Sequence, residues 1–180
     1  TPYEIERCYK QGLRGIGELF PAGQPFEISS LKETQAVAEY CEHYSLPVIV
    51  HMNEPVGHYY PGKTETSLKE IEAFVEHHPK LRIILAHFGG GIFMYEMMKE
   101  VKERFKNVYY DNAASIFLYE PRIYQTIKAA GLMDKFEEEV LPSKLIYTTS
   151  YSNNTISFLT PELIKELYIS SMGSMILVEG

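Results

Sequence analysis

The feature that most constrains the fold is a pair of short apolar runs, each of which ends in a histidine. The first run covers residues 46–51 and the second covers residues 81–87. Runs of this length and composition predict buried strands, and each histidine lies where its strand passes into a loop. In parallel α/β folds the loops at this end of the sheet converge on the functional site. We therefore expect both histidines to belong to a site.

Predicted strands and helices alternate along the chain. A helix over residues 3–10 comes first, and the strands that follow are predicted at residues 13–19, 46–51, 81–87, 107–113 and 144–149. The strands recur at a spacing of roughly 25 to 35 residues, which is typical of βαβ units in a parallel sheet with right-handed crossovers. The fold class is therefore α/β, and two architectures remain open. One is a five-stranded doubly wound sheet, which the length of 180 residues favours, and the other is part of a (β/α)8 barrel.

Capping signals mark where two of the helices begin. Ser30 with Glu33, and Ser67 with Glu70, have the spacing of a capping box. A third helix is predicted directly after residues 89–91, and a fourth around Ile123 and Ile127 that ends at Gly131. The spacing of Met94, Met97 and Met98 predicts that they fill the core. His77 and His78, at a helix end, are predicted to be solvated.

The charge balance limits the class of partner. The net charge of −7 argues against nucleic acid or an anionic membrane, because both attract an excess of Lys and Arg. No apolar run approaches the ~20 residues that span a bilayer, and the amino end lacks a basic region followed by an apolar stretch. We expect a single domain over residues 1–180, cytoplasmic, with a small molecule as its ligand.

Three polar residues end three successive predicted strands. They are Glu18, His51 and His87. Neighbouring parallel strands lie ~4.8 Å apart, so side chains at their ends reach a common ion if they point to the same side. Imidazole and carboxylate ligands suit a divalent ion, zinc above all, which acidifies a bound water. The alternative is that backbone groups at each strand end satisfy these side chains.

Two loops add candidates for ligand binding. The loop over residues 52–63 is rich in Tyr, Pro and Gly and suits a lid over a ligand. Its candidate substrate contacts are Asn53, His58, Tyr59 and Lys63. Residues 89–91, three glycines, either cradle a phosphate or form a tight turn that lets the helix pack close to the strand.

The strand ends resemble those of a known family. Gly-Ile-Gly-Glu at residues 15–18, Pro-Val-Ile-Val-His at 47–51 with Asn-Glu-Pro at 53–55, and Ile-Leu-Ala-His-Phe-Gly-Gly at 84–90 carry the likeness. They are similar to the fourth, fifth and sixth strand ends of the amidohydrolase superfamily, in its amidohydrolase-2 group of metal-dependent TIM-barrel enzymes. The likeness covers residues 3–151. It implies that the chain is the carboxyl-terminal part of such a barrel, with residues 107–114 as the seventh strand.

The resemblance also implies a site at the barrel mouth. His51 and His87 match the single histidines of the family's fifth and sixth strands, and Glu18 matches an acidic position that is a metal ligand in some members. The sequence departs from the family at two points. The His-x-His pair of the family's first strand is absent, and Ser150 stands at the register of the last-strand aspartate. Because a serine is a poor base for a metal-bound water, Asp111 is the nearest replacement.

The implied activity is attack of water on a carbon–nitrogen or ester bond of a small molecule. Decarboxylation of a small aromatic or unsaturated acid is the related alternative. A hypothesis from a different class is a metal-free barrel remnant that acts as a structural or binding protein. Because a barrel without its first units exposes two strand edges and apolar surface, we expect an amino-terminal portion or partner chains, as in a homo-oligomer, to cover them.

Overall fold

The structure is a computed structural model, and it describes residues 2–60, 62–112, 118–135, 145–147 and 175–177. The helices and strands alternate through most of this range. In chain order they are α1 (Pro2–Lys10), β1 (Ile16–Leu19), α2 (Leu31–His43), β2 (Val48–Val50), α3 (Leu68–His77), β3 (Ile83–Leu85), a 3-10 segment (His87–Met97), α4 (Lys99–Arg104), β4 (Val108–Tyr110), α5 (Ile123–Ala129), a short 3-10 turn (Met133–Lys135), β5 (Leu145–Tyr147) and β6 (Met175–Leu177).

Strands β1 to β4 form one parallel sheet in the order β1-β2-β3-β4. The pairs Val50–Leu85 and Leu85–Tyr110 keep β2, β3 and β4 in register, so their carboxyl ends lie at one edge. The predicted α/β class is confirmed. A parallel sheet with a helix between successive strands is consistent with part of a (β/α)8 barrel, and the described strands do not close into a complete one.

The central strands are buried on both faces, as expected for a parallel sheet covered by helices. Val48 and Val50 of β2 pack in the larger core with the helices, while Ile49 points the other way and packs with Ile84 and Ala86. Because side chains alternate along a strand, His51 is expected on the face of Ile49 and not on the helical face. The cluster of Ile49, Ile84 and Ala86 thus packs directly below the carboxyl ends of the strands.

The two capping predictions have different outcomes. At α3 the Ser67 hydroxyl accepts a hydrogen bond from the Glu70 N–H, and the Glu70 carboxylate accepts one from the Ser67 N–H, so the capping box is confirmed. At α2 Ser30 is the N-cap residue, but its side chain makes no capping bond. Glu33 instead accepts a hydrogen bond from the Glu27 N–H, which ties the preceding loop to the helix.

The prediction of a regular helix directly after residues 89–91 was wrong. Residues 87–91 have φ angles between +55° and +90°, a left-handed turn, and the regular helix α4 begins only at Lys99. Met94 and Met97 in the intervening 3-10 segment, and Met98 directly after it, are exposed, so they do not fill the core. We call His87–Met97 the turn segment.

Three further predictions concern the rest of the chain. Helix α5 and its end before Gly131 are confirmed. Residues 145–147 form a strand, but it pairs antiparallel with β6 and does not extend the parallel sheet. The prediction of a solvated His78 was wrong, because the side chain is buried with Nε2 2.8 Å from the Thr34 hydroxyl. No helix in the described part of the chain is long and apolar enough to cross a bilayer.

Candidate metal centre

The structure brings the three predicted strand-end residues together. Glu18 Oε1 lies 2.8 Å from His51 Nδ1 and 3.7 Å from His87 Nε2. One ligand atom from each of the three side chains lies within 4.8 Å of the other two. The imidazole rings of His51 and His87 are 5.1 Å apart between centroids and nearly perpendicular. The side chains therefore share one point at the carboxyl edge of the sheet, as the metal hypothesis requires.

A β-bulge and a glycine place Glu18 at this point. Ile16 pairs with Val48 and Leu19 with Val50, so β1 has one residue more than β2 between the paired positions. Bulges of this kind redirect a side chain next to a functional site. Gly17 lies against β2 so closely that a Cβ atom there would be 2.7 Å from the Ile49 Cβ and 2.8 Å from its carbonyl oxygen. A side chain at residue 17 would push β1, and Glu18 with it, away from the histidines.

His51 has an acceptor at each ring nitrogen. Nδ1 faces Glu18 Oε1, and Nε2 lies 3.1 Å from the Gly62 carbonyl oxygen. A neutral imidazole carries one proton and can donate to only one of these acceptors. If Nε2–H donates to Gly62, the Nδ1 lone pair faces a carboxylate, and a cation between them removes the repulsion. A ring nitrogen fixed by a backbone carbonyl while the other faces a metal is the common arrangement for a histidine ligand.

Asp111 holds the backbone of His87 and Phe88 through two hydrogen bonds. The His87 N–H donates a hydrogen bond to Asp111 Oδ1 at 2.9 Å, and the Phe88 N–H donates to the Asp111 carbonyl oxygen at 2.9 Å. The turn that follows lies against the loop after β2, because a Cβ atom at Gly90 would be 2.4 Å from the Asn53 carbonyl oxygen. This contact explains a glycine at residue 90 without a phosphate.

The three side chains are enclosed but remain partly accessible. Their exposed fractions are 14% for Glu18, 13% for His51 and 11% for His87. Two imidazoles and a carboxylate are ligands that zinc and other divalent transition ions accept, and a catalytic site leaves further positions for water or substrate. The donor types, their shared point and their partial enclosure fit a divalent ion.

The loop over residues 52–64, here called the β2 loop, contains the predicted substrate contacts, and Pro61 within it lies outside the described residues. The Asn53 side chain joins the two ends of the loop. Its Oδ1 accepts a hydrogen bond from the Thr64 N–H at 2.7 Å, and its Nδ2 donates one to the Thr64 carbonyl at 3.1 Å. The Lys63 ammonium donates to the Val56 carbonyl at 2.6 Å. His58 and Tyr59 are exposed at the tip. Asn53 and Lys63 thus fold the loop, and His58 and Tyr59 face solvent.

Asp111, the predicted base, directly follows β4 and contacts the backbone of His87. It is buried, and its Oδ1 receives the His87 N–H, so its carboxylate supports the segment that carries His87. It is not one of the three side chains whose ligand atoms meet within 4.8 Å. Ser150, at the register of the family's last-strand aspartate, lies outside the described residues.

Two clusters, one buried and one half-buried, were not anticipated from the sequence. Glu96 contacts the Lys135 ammonium at 2.9 Å and accepts a hydrogen bond from the Tyr110 hydroxyl at 2.6 Å. Burial raises the pKa of Glu96, while these two partners act against that rise. The second cluster joins Glu54 to the Tyr60 hydroxyl. A glutamate among apolar residues was the available signal for Glu96, but its partners are distant in sequence.

The family model described as Amidohydrolase matches residues 1–151, which include all three side chains of the centre. No curated protein matches the chain.

Proposed function

We propose a function from the premise that the chain belongs to the amidohydrolase family. In this proposal it is a metal-dependent hydrolase that activates water to attack a carbon–nitrogen or ester bond of a small molecule. The observation that supports the proposal most is the meeting of Glu18, His51 and His87 within 4.8 Å at the carboxyl edge of a parallel sheet. Loops at this edge are where enzymes of parallel α/β folds bind their substrates.

We propose that Glu18 Oε1, His51 Nδ1 and His87 Nε2 hold the ion, and that the ion is zinc. When bound, such an ion lowers the pKa of a coordinated water and polarises a carbonyl group. The protein supplies the orientation of the ligands. The Gly62 carbonyl accepts a hydrogen bond from His51 Nε2–H, which leaves the Nδ1 lone pair for the ion, and Asp111 fixes the backbone of His87.

Asp111 is the proposed general base. The Asp111 Oδ1 accepts a hydrogen bond from the His87 N–H, which places this carboxylate next to a proposed metal ligand. Its burial at the end of β4 keeps it beside the turn segment and away from bulk water. We propose that it takes the proton of the attacking water and later returns it to the leaving group.

The β2 loop is the proposed substrate lid. His58 and Tyr59 are exposed side chains of this loop, and Tyr59 is 80% exposed, which suits contact with a ligand that arrives from solvent. Direct contact of Asn53 or Lys63 with the substrate stays a prediction. The hydrogen bonds of these two residues support a second role, which is to hold the loop in shape.

The test combines metal analysis with hydrolysis. The protein is purified without added metal, its metal content is measured by mass spectrometry, and a panel of amides, cyclic amides and esters is assayed before and after chelation. We expect about one equivalent of a divalent ion, lost in His51→Ala and His87→Ala but retained in His43→Ala, whose side chain is exposed and distant in sequence. A protein without tightly bound metal, unchanged by the first two substitutions, contradicts the proposal and leaves the metal-free binding protein.

A further inference from the structure

The carboxylate of Glu54, in the β2 loop, lacks a hydrogen-bond partner among the described residues at one of its two oxygens. Its Oε1 is shielded from solvent and has no hydrogen-bond partner in the described part of the chain. Its Oε2 accepts a long hydrogen bond, 3.5 Å, from the Tyr60 hydroxyl. Shielding a charged oxygen without a partner is costly, because its lost hydration is not replaced. The side chain therefore has unused capacity to accept hydrogen bonds.

The described neighbours of Glu54 supply neutral hydroxyls and no ion-pair partner. Burial raises the pKa of Tyr119 and of Tyr60, and the Glu54 carboxylate raises both further, so both phenols remain protonated. No Lys, Arg or His among the described residues lies within ion-pair distance of Glu54. The nearby Lys63 ammonium is instead bound to the Val56 carbonyl at 2.6 Å.

The carboxylate is close in the chain to a proposed metal ligand, because Glu54 follows His51 by three residues. Asn53, the preceding residue, is in backbone contact with Gly90 of the turn segment that begins at His87. Tyr119 packs its ring 5.3 Å from the Phe88 ring, and its hydroxyl would be 3.7 Å from a Cβ atom at Gly91. Tyr119, whose hydroxyl interacts with the Glu54 carboxylate, therefore lies against the segment that begins at the proposed metal ligand His87.

From this placement we propose that Glu54, with the Tyr60 and Tyr119 hydroxyls, forms a subsite for a cationic nitrogen group of the substrate, such as an ammonium or an amidinium. The inference rests on the proposed function, because it assigns a substrate class to the same site. A planar amidinium donates two parallel hydrogen bonds to one carboxylate. The protein's net charge of −7 favours the approach of such a ligand.

The test uses benzamidinium and benzamide, which have nearly the same shape but differ in charge. Their affinities for the metal-loaded and metal-free protein are measured by calorimetry at pH 7. We expect benzamidinium to bind at least about tenfold more tightly than benzamide, and Glu54→Gln to abolish that preference. Glu65→Gln is the matched control, because it removes the same charge from an exposed residue just after the β2 loop and should leave the preference intact.

The outcomes separate this inference from the metal hypothesis. A protein that binds metal but shows no preference for benzamidinium overturns the subsite and leaves the proposed hydrolase standing. A protein that prefers benzamidinium through Glu54 but binds no metal supports the subsite and overturns the hydrolase. If Glu54→Gln does not fold, as judged by its circular dichroism, the comparison of the two probes on the unsubstituted protein still decides. Equal losses in the Glu54 and Glu65 variants would show a general charge effect and overturn the subsite.

Discussion

Gly90→Ala tests whether contact between two loop backbones positions the metal ligands. Gly90 has a φ of +60° and lies against the Asn53 backbone, so alanine there meets two separate obstacles. The first is the left-handed conformation, which costs an L-residue ~1–2 kcal/mol. The second is its new Cβ atom, placed 2.4 Å from the Asn53 carbonyl oxygen, closer than real Cβ contacts come. Asn53 cannot simply withdraw, because its side chain is hydrogen bonded to Thr64.

The chain offers a matched control for the first obstacle. Gly131 has a φ of +67°, and a Cβ atom there would have no described heavy atom within 4 Å. Gly131→Ala should therefore lower the free energy of unfolding by ~1–2 kcal/mol through conformation alone. Gly90→Ala should lower it by that amount and by ~1–3 kcal/mol more, the usual cost of forcing extra atoms into a packed site.

The two variants are compared by urea denaturation monitored by circular dichroism, with metal affinity measured in parallel. For a protein of this size each kcal/mol corresponds to about 2–4 °C in Tm, so the difference is measurable by heating as well. Gly90→Ala should also weaken metal binding, because it separates the loops that follow His51 and His87, whereas Gly131→Ala should not. Equal destabilisation by the two substitutions, with equal metal affinity, would refute the reasoning.

Three further predictions concern the loop, the buried ion pair and pH. Asn53→Ala removes the hydrogen bonds to Thr64 and should cost ~2 kcal/mol and speed proteolysis within the β2 loop, as read by mass spectrometry. Lys135→Met leaves Glu96 buried without its cation and should lower the free energy of unfolding by ~3–5 kcal/mol in chemical denaturation. Burial lowers the pKa of His78 below its ordinary value of 6.5, so the unfolded chain binds more protons just below that pH and stability falls as the solution is acidified. His78→Gln should reduce this loss between pH 7.5 and pH 5, measured as the change in urea midpoint.

Each of these predictions has its own control. Asn112→Ala, an exposed asparagine after β4, should leave proteolysis of the β2 loop unchanged. Lys128→Met, on a solvent-facing part of α5, should change stability by less than ~0.5 kcal/mol, and an equal effect of both lysine variants would contradict the buried pair. For the pH effect the control is His43→Gln at an exposed position, and the explanation fails if it flattens the pH profile as much as the His78 variant does.

The strands and the metal ligands were predictable because each depends on a short stretch of sequence. A buried run such as 46–51 specifies a strand by its apolar residues alone, and parallel pairing then brings the carboxyl ends together. Glu18, His51 and His87 follow from that geometry. The bulge in β1 that turns Glu18 toward the histidines was not foreseen, since it depends on how β1 pairs with β2.

The turn segment shows why other predictions failed. Residues 92–98 have many helix-forming side chains, and their spacing suggested a helix with its methionines inward. The five left-handed residues that begin at His87 change the direction of the chain, and Met97 is 65% exposed as a result. Local periodicity carries no information on such a change of direction, because contacts with Asp111 and Asn53, distant in sequence, hold the turn.

Buried polar partners were the hardest features to predict. Lys135 and Glu96 are 39 positions apart in the numbering, and His78 meets Thr34 from a neighbouring helix. From the sequence alone, each of these residues is expected to be exposed to solvent, because polar and charged side chains usually are. Only the packing of the helices shows that each has a buried partner.

The central claim is that one divalent ion binds where Glu18, His51 and His87 meet. Anomalous diffraction at the zinc absorption edge, from crystals grown with zinc, locates the ion directly. We predict a single strong peak about 2.0–2.2 Å from Glu18 Oε1, His51 Nδ1 and His87 Nε2. A zinc-loaded crystal with its peak elsewhere, or with these three side chains bound only to each other and to backbone groups, would contradict the account.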